Sequence, residues 1–209
     1  MKKITIQNIV DFKKQKQKFA TITAYDFNSA CLVSDCDIPL ILVGDSASMM
    51  VYGYSTTIPI SMDEMLLVVR AVSRGSKNAL VVADLPFLSY QSSIQETIKN
   101  AGTMIKEGGA GAVKLEGGMH MKGHIGELVQ IGVPVMGHIG LTPQSFHQMS
   151  GYSMQGKTPD DAQKIIDDAL AVQDAGAFSV VLECIPENLA EEITNKLSIP
   201  TVGIGSCAT

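Results

Sequence analysis

The chain has 209 residues, 45% of them hydrophobic, and a formal net charge of -5 at pH 7. A chain of this length and apolar content can bury a sizeable core. The weakly acidic balance argues against a nucleic-acid partner, because phosphate binding needs a basic surface. No segment approaches the roughly 20 apolar residues of a membrane span, so we also expect no membrane partner.

The amino terminus and the cysteines predict a cytoplasmic protein. Residues 1–3 could open a signal peptide, but polar residues from Gln7 to Lys14 interrupt any apolar run behind them, and we predict an amphipathic first helix instead. The cysteines lack the C-x-x-C spacing of metal sites, and a disulfide framework is typical of shorter secreted chains. We therefore expect reduced thiols at Cys31, Cys36, Cys184 and Cys207.

Short apolar, β-branched runs recur along the chain, as expected of parallel strands that are covered on both faces. They span residues 20–24, 40–43, 80–83, 112–115, 133–137, 179–182 and 201–204. Helix-like segments lie between most of them, including residues 61–73, 93–107 and 159–175. Ser61 followed by Glu64 has the spacing of a capping box, which begins a helix. The alternation predicts an α/β fold, and without any linker we expect a single domain over residues 1–209.

Polar residues are placed at or just beyond the carboxyl ends of six predicted strands. They are Asp26, Asp45, Asp84, Glu116, His138 and Glu183. In a (β/α)8 TIM barrel all these strand ends open onto one mouth that carries the chemistry, whereas an open sheet gathers ligands at a few strands only. The spread over six strands favours the barrel. Since the pattern yields seven strands, we expect a barrel that is incomplete at the C-terminus, with the eighth strand and final helices missing.

Three of the strand-end acids, Asp45, Asp84 and Glu116, could converge on one hard cation. Mg²⁺ prefers oxygen ligands and usually takes one or two carboxylates together with water or substrate oxygens. For any single acid, a cap on the following helix is the simpler interpretation. Lys114 weakens that interpretation, because it shares strand parity with Glu116 and a lysine inside a barrel must be paired.

Many ordered stretches resemble the ketopantoate hydroxymethyltransferase (3-methyl-2-oxobutanoate hydroxymethyltransferase) family. They are T-A-Y-D at residues 23–26, V-G-D-S at 43–46, T-T-I-P at 56–59, A-D-L-P-F at 83–87, V-K-L-E-G-G at 113–118, G-H-I-G-L-T-P-Q at 137–144, Q-G at 155–156, L-E-C-I-P at 182–186 and I-P-T-V-G-I-G at 199–205. The resemblance extends from the first helix to the last residue of the chain. The sequence departs from the family at Val68, where a histidine is usual, and in residues 206–209.

The resemblance implies a Mg²⁺-binding barrel that transfers a one-carbon unit from 5,10-methylenetetrahydrofolate to 3-methyl-2-oxobutanoate. The product is 2-dehydropantoate, a precursor of pantothenate. Small-molecule 2-oxo acid and folate would be the partners, in a homo-oligomer that is a decamer by resemblance.

Family roles transfer to individual positions of this sequence. The resemblance implies that Asp45 and Asp84 bind both metal and substrate and that Glu116 is the third metal-site acid. Ser46 and Lys114 correspond to substrate contacts, and Glu183 to the catalytic proton acceptor. We add His138 as a residue that lines the mouth and contacts substrate, since it lies inside a matched motif at a strand end; a buried structural histidine is the alternative.

Two other functions stay open from the sequence. One is a related barrel lyase that cleaves a C–C bond of a 2-oxo acid. The other is a non-catalytic, truncated barrel with only a structural role. Two weaker patterns are set aside: His120 and His124 have zinc-like spacing but lack the glutamate of H-E-x-x-H, and residues 203–208 have a dinucleotide-like pattern without a following helix.

Overall fold

The computed structural model describes residues 3–149 and 151–206 as a parallel sheet with helices packed around it. Its strands pair in chain order, each parallel to the next. They are β1 (Thr21–Thr23), β2 (Leu40–Val43), β3 (Leu80–Asp84), β4 (Ala112–Glu116), β5 (Val135–Gly140), β6 (Ser179–Glu183) and β7 (Thr201–Ile204).

Helices follow the strands in the alternation that the sequence predicts. They are α1 (Ile6–Lys14), α2 (Phe27–Asp35), α3 (Ala47–Met50), α4 (Met62–Gly75), α5 (Ile94–Lys106), α6 (Lys122–Gln130), α7 (Phe146–Met149), α8 (Pro159–Asp174) and α9 (Glu187–Lys196). The predicted capping box is confirmed at α4, where Ser61 and Glu64 satisfy each other's backbone N–H groups. Short 3-10 turns at Met119–Met121 and Pro143–Ser145 follow β4 and β5.

Two apolar layers hold the barrel together. The inner layer joins side chains on the inner face of the strands, such as Leu40, Leu80 and Ala112, to Ile9 of α1. Because these three are the first residues of their strands, α1 covers the amino-terminal end of the barrel. The outer layer packs the helices against the opposite face of β2 to β6 and includes Val69 and Val172. With one end covered by a helix, the carboxyl ends of the strands are left to form the site.

The sheet curls into a nearly closed barrel with its seam between β1 and β7. Within the described residues the sheet has 7 strands and ends at these two. A groove of about 750 Å³ lies between them and is lined by residues of both strands. Ile22 of β1 and Ile204 of β7 are 44% and 43% exposed. The expected TIM-barrel architecture is confirmed, and the seam lies where an eighth strand would fit.

Several strands run further than the sequence predicts. β3, β4 and β6 each include one more residue, so Asp84, Glu116 and Glu183 are the last residues of their strands. β5 begins at Val135 and continues to Gly140, which places His138 inside the strand. The prediction was wrong there because apolarity alone does not show which residues pair with the neighbouring strand.

Three further expectations concern the cysteines, the first helix and membrane-spanning helices. Cys31, Cys36 and Cys184 are free, as predicted, whereas Cys207 lies outside the described residues. The predicted first helix begins at Ile6, capped by Thr5. Among the described helices, none combines the length and apolar character needed to cross a membrane.

A close contact fixes α8 on β5. A Cβ added at Gly137 would clash with Val172 Cγ1, a stiff β-branched side chain. We expect Gly137→Ala to lower the free energy of unfolding by about 1–3 kcal/mol. The double variant Gly137→Ala/Val172→Ala should lose less stability than the sum of the losses in the two single variants. Urea unfolding measures both.

The matched control is Gly126→Ala in the middle of α6, where an added methyl group has no neighbour within 4 Å. Alanine there should raise stability by about 0.5–1 kcal/mol, because glycine loses more backbone freedom on folding. Equal responses at Gly137 and Gly126 would contradict the close packing of α8 on β5.

Candidate active site

Strand parity brings the predicted side chains to one place. Asp84, Lys114 and Glu116 share the parity of Val82 and Ala112, which belong to the inner apolar layer. The register pairs Asp84 with Lys114 and Glu116 with His138. These side chains therefore project into the barrel from neighbouring strands at its carboxyl end.

Asp84 is the centre of the first group of contacts. Its Oδ1 lies 2.9 Å from Nζ of Lys114, and both side chains are only 4% exposed. Its Oδ2 accepts a hydrogen bond from the backbone N–H of Asp45 at 3.1 Å. One carboxylate thus joins the loop after β2 to the adjacent strands β3 and β4.

The charged groups of this cluster strongly affect one another's pKa values, because they are buried. Burial alone would lower the pKa of Lys114, but the carboxylates of Asp84, Glu116 and Asp45 outweigh it and raise that pKa above its usual value. Burial, and then the charge of Asp84, raise the pKa of Asp45 to about 7. Burial also raises the pKa of Glu116 well above the usual range. The acids therefore outnumber the cation that could balance them.

His138 lies between Glu116, an acid predicted to bind metal, and Glu183, the predicted base. Its Nε2 lies 3.1 Å from Oε2 of Glu183, and its Nδ1 lies 3.6 Å from Oε1 of Glu116. Burial, and then the charge of Lys114, lower the pKa of His138, against the opposing effect of Glu183. A histidine that stays neutral can orient a carboxylate by donating one N–H while it leaves the other nitrogen free to accept.

Two local features fix the positions of Ser46 and Glu183 in the site. Ser46 lies at the start of α3, and its Oγ is 2.8 Å from the hydroxyl of Tyr25. Cys184 has a φ of +50°, a left-handed conformation that is rare for residues other than glycine. Its N–H donates to Ile204 O and its carbonyl accepts from Gln155 N. The chain therefore turns sharply, and in a fixed way, directly after Glu183.

Three residues singled out by the sequence lie outside this cluster. Asp26 caps α2 by accepting a hydrogen bond from Ser29 N, which is the simpler role considered for strand-end acids. His120 is exposed on a 3-10 turn and His124 is half-buried in α6. Neither histidine belongs to a group of three potential metal ligands within the described residues.

The sequence missed Gln144 and Tyr90, which are both buried in the site. Gln144 donates hydrogen bonds to Asp45 and Glu116 and accepts one from Tyr90. Gln144 closes a matched motif, which was the available signal. Tyr90 gave no signal, because it follows β3 in an irregular segment.

The donor set fits a hard cation, although no ligand cage is already formed. In residues 3–149 and 151–206, no three His, Cys, Asp or Glu side chains are arranged to hold a metal ion. Asp84 is paired with Lys114, while Asp45 and Glu116 accept hydrogen bonds from Gln144. Mg²⁺ needs only one or two carboxylates, and a dication would supply the positive charge that these buried acids lack.

Sequence comparison decides the family. The sequence model of the family described as ketopantoate hydroxymethyltransferase matches residues 3–209. The chain belongs to this family. Its expected assignment as a hydroxymethyltransferase of pantothenate biosynthesis is thereby confirmed.

Relatives in the ketopantoate hydroxymethyltransferase family match almost the whole chain. The 3-methyl-2-oxobutanoate hydroxymethyltransferase of Carboxydothermus hydrogenoformans is 52% identical over 206 residues, which are 99% of this chain and 75% of that protein. The enzyme of the same name from Heliobacterium modesticaldum is 52% identical over 205 residues, 98% of this chain and 74% of that protein.

Solved structures support the barrel alone. Phosphoenolpyruvate phosphomutase from Streptomyces platensis subsp. rosaceus has a TM-score of 0.70 at 14% identity, covering 95% of this chain and 72% of that one. A 2,3-dimethylmalate lyase of the PEP mutase/isocitrate lyase superfamily has a TM-score of 0.68 at 15% identity, covering 98% and 74%. Identities this low establish a shared fold and no shared reaction.

We predict that Lys114→Met destabilises the metal-free protein by about 3–5 kcal/mol, because it leaves buried carboxylates unpaired. Urea unfolding in the presence of a chelator measures the loss. Lys164→Met is the matched control. Lys164 pairs with Asp161 on the surface, where the side chains are 73% and 52% exposed. The substitution should therefore lower the free energy of unfolding by less than about 1 kcal/mol. Similar losses in both variants would contradict the proposed charge balance.

A second prediction concerns pH. Burial raises the pKa of Asp45 in the folded state to about 7 from its ordinary value of 3.8, so between these values the folded state holds a proton that the unfolded state releases. Stability contributed by this group is present at low pH and lost as pH rises toward 7. Asp45→Asn should therefore gain stability relative to wild type across this range, by at most about 4 kcal/mol. Metal-free urea unfolding at several pH values checks this, and a pH-independent difference would contradict it.

Proposed function

We propose that this chain catalyses Mg²⁺-dependent transfer of a hydroxymethyl group from 5,10-methylenetetrahydrofolate to 3-methyl-2-oxobutanoate, giving 2-dehydropantoate. The proposal joins the family assignment to one observation: the carboxyl ends of β3 to β6 present acids, a lysine and a histidine to a single buried cluster. A 2-oxo acid offers a carboxylate and a keto oxygen to such a cluster. The metal, the folate donor and the roles of the residues are all parts of this proposal.

Asp45 and Asp84 are the proposed metal ligands, with Glu116 as the third acid of the site. All three are buried, with 3–5% exposure. When bound, Mg²⁺ would act as a Lewis acid that polarises the substrate's keto group. The same acids, with Ser46 and Lys114, would fix the substrate between the metal and the base.

Ser46 and Lys114 are the proposed contacts for the substrate's oxygens. The Ser46 hydroxyl is held by Tyr25, which leaves it oriented rather than freely rotating. Lys114 stays charged because acids surround it, so its ammonium group can stabilise the negative charge that develops when the substrate loses a proton. Positive charge placed in advance in a dry site stabilises that transition state more than water can.

Glu183 is the proposed base that removes the proton from the carbon beside the keto group. It ends β6, the second strand beyond β4, which carries Lys114 and Glu116. Its side chain is 20% exposed, and His138 lies 3.1 Å from it. His138 would orient the Glu183 carboxylate and line the substrate pocket. The resulting carbanion would then attack the methylene carbon of the folate as one C–N bond breaks. Water would supply the hydroxyl oxygen as the second C–N bond breaks, and tetrahydrofolate would leave.

The resemblance also supports several properties that the contacts do not address. We propose a cytoplasmic homo-oligomer, a decamer by resemblance, in which residues 1–209 belong to one barrel domain. The lyase alternative would act on the same 2-oxo acid class without folate. Folate-dependent formation of 2-dehydropantoate distinguishes the two reactions.

The main test uses Glu183→Gln. We expect this variant to bind 3-methyl-2-oxobutanoate normally. The hydrogen on the carbon beside the substrate's keto group should exchange with deuterated water about 10²–10⁴-fold more slowly than with wild type, since that is the usual contribution of a general base. NMR of the substrate measures exchange without folate, and product formation with folate should fall in parallel.

Glu187→Gln is the matched control, because Glu187 is exposed at the start of α9, four residues further along. It should exchange at the wild-type rate. Normal exchange in Glu183→Gln would remove Glu183 from the role of base, even if product formation were impaired.

A further inference from the structure

Gln144 touches two of the three acids proposed for the metal site. We propose that it is a positioning residue, which fixes the Asp45 and Glu116 carboxylates in the arrangement that receives the cation. The inference rests on the proposed function, since it assumes that these acids bind a metal. It adds a residue that itself contacts neither metal nor substrate in the proposed mechanism.

The side-chain amide of Gln144 has all its hydrogen bonds satisfied. Its Nε2 donates to Asp45 Oδ2 and to Leu85 O, both at 2.9 Å. Its Oε1 accepts from the Tyr90 hydroxyl at 2.8 Å and from Gln91 Nε2 at 2.9 Å. An amide has two donor hydrogens and two acceptor lone pairs, so no capacity remains for another partner.

These partners determine which way the amide points. Leu85 contributes a backbone carbonyl, which can only accept, so the nitrogen of Gln144 must lie on that side. The same nitrogen contacts Asp45 and can only donate to it. Asp45 Oδ2 is therefore held as an acceptor, and Oδ1 is left available for a cation.

The backbone of Gln144 secures the second acid. Its N–H, in the 3-10 turn Pro143–Ser145, donates to Glu116 Oε2 at 3.0 Å. Tyr90 completes the connection, because its hydroxyl accepts from Glu116 N at 3.0 Å while it contacts the Gln144 amide. One residue after β5 thus determines the orientation of carboxylates that follow β2 and end β4.

This arrangement matters because a cation binds more weakly to ligands that must first be ordered. Asp45 lies in a loop after β2, where its N–H donates to Asp84 and its carbonyl accepts from Ser48 N, while its carboxylate accepts from Gln144. Groups that hydrogen-bond to metal ligands typically change metal affinity or activity 10–100-fold when they are removed. The contribution of Gln144 should appear in metal affinity before any chemistry occurs.

The test is Gln144→Met, which keeps the length of the side chain and the backbone N–H but removes the amide. Titration calorimetry with Mg²⁺, and electron paramagnetic resonance with Mn²⁺, would measure metal binding in the absence of substrate and below the unfolding temperature. We expect the Kd to rise about 10–100-fold. Because the acids themselves remain, activity should recover when Mg²⁺ is raised to saturate the weaker site.

Gln148→Met is the matched control, since Gln148 is exposed on α7 four residues away. Its Kd should equal that of wild type. If Gln144→Met lowers thermal stability but leaves the metal Kd unchanged, Gln144 is only structural and the inference is wrong. If activity stays low at saturating Mg²⁺, positioning of the metal ligands is likewise wrong.

Tyr90→Phe keeps the inference testable if Gln144→Met does not fold. It removes the hydroxyl that holds the Gln144 oxygen while preserving the ring, and the Kd should rise by a smaller factor. An unchanged Kd in Tyr90→Phe would then contradict the inference. Failure of the proposed function is distinguishable, because in that case the wild-type protein would itself bind neither Mg²⁺ nor Mn²⁺.

Discussion

The site depends on one buried ammonium group placed among several buried carboxylates. Lys114 and Asp84 form an ion pair from which water is almost excluded. An unpaired charge in this position would cost several kcal/mol, so the lysine and the acids can be buried only together. Burial raises the pKa values of Asp45 and Glu116, and the neighbouring acids add to the rise. The cluster is therefore built to gain stability from additional positive charge.

Much of this could be predicted from the sequence, because the relevant rules are local. Alternating strands and helices predict the parallel sheet, and the two-residue period of a strand places Lys114 and Glu116 on one face. Parallel strands in one barrel bring Asp84 and Glu183 to the same end. The exception was Asp26, whose side chain caps its own helix, and no local pattern separates a capping acid from one in the site.

The parts that could not be predicted are contacts between distant, irregular segments. Gln144 reaches Asp45 across 99 residues, and Tyr90 reaches Gln144 across 54. Neither partner lies in a strand, so neither register nor periodicity constrains where the side chains meet. The bounds of β5 were also predicted wrongly, because they depend on which residues pair with the neighbouring strands. Sequence reasoning thus finds the acids but not the groups that orient them.

Differences in exposure separate the two tasks of the site. The Asp84 and Glu116 side chains are 4% and 3% exposed, whereas Glu183 is 20% exposed. Low exposure strengthens electrostatic interactions, which suits acids that hold a cation. A base has a different requirement, because it must return the proton it removes to water before the next turnover. His138, 3.1 Å from Glu183 and 3.6 Å from Glu116, separates the proposed base from the buried acids. The same barrel mouth can therefore keep the acids proposed to bind metal dry while the proposed base stays in contact with solvent.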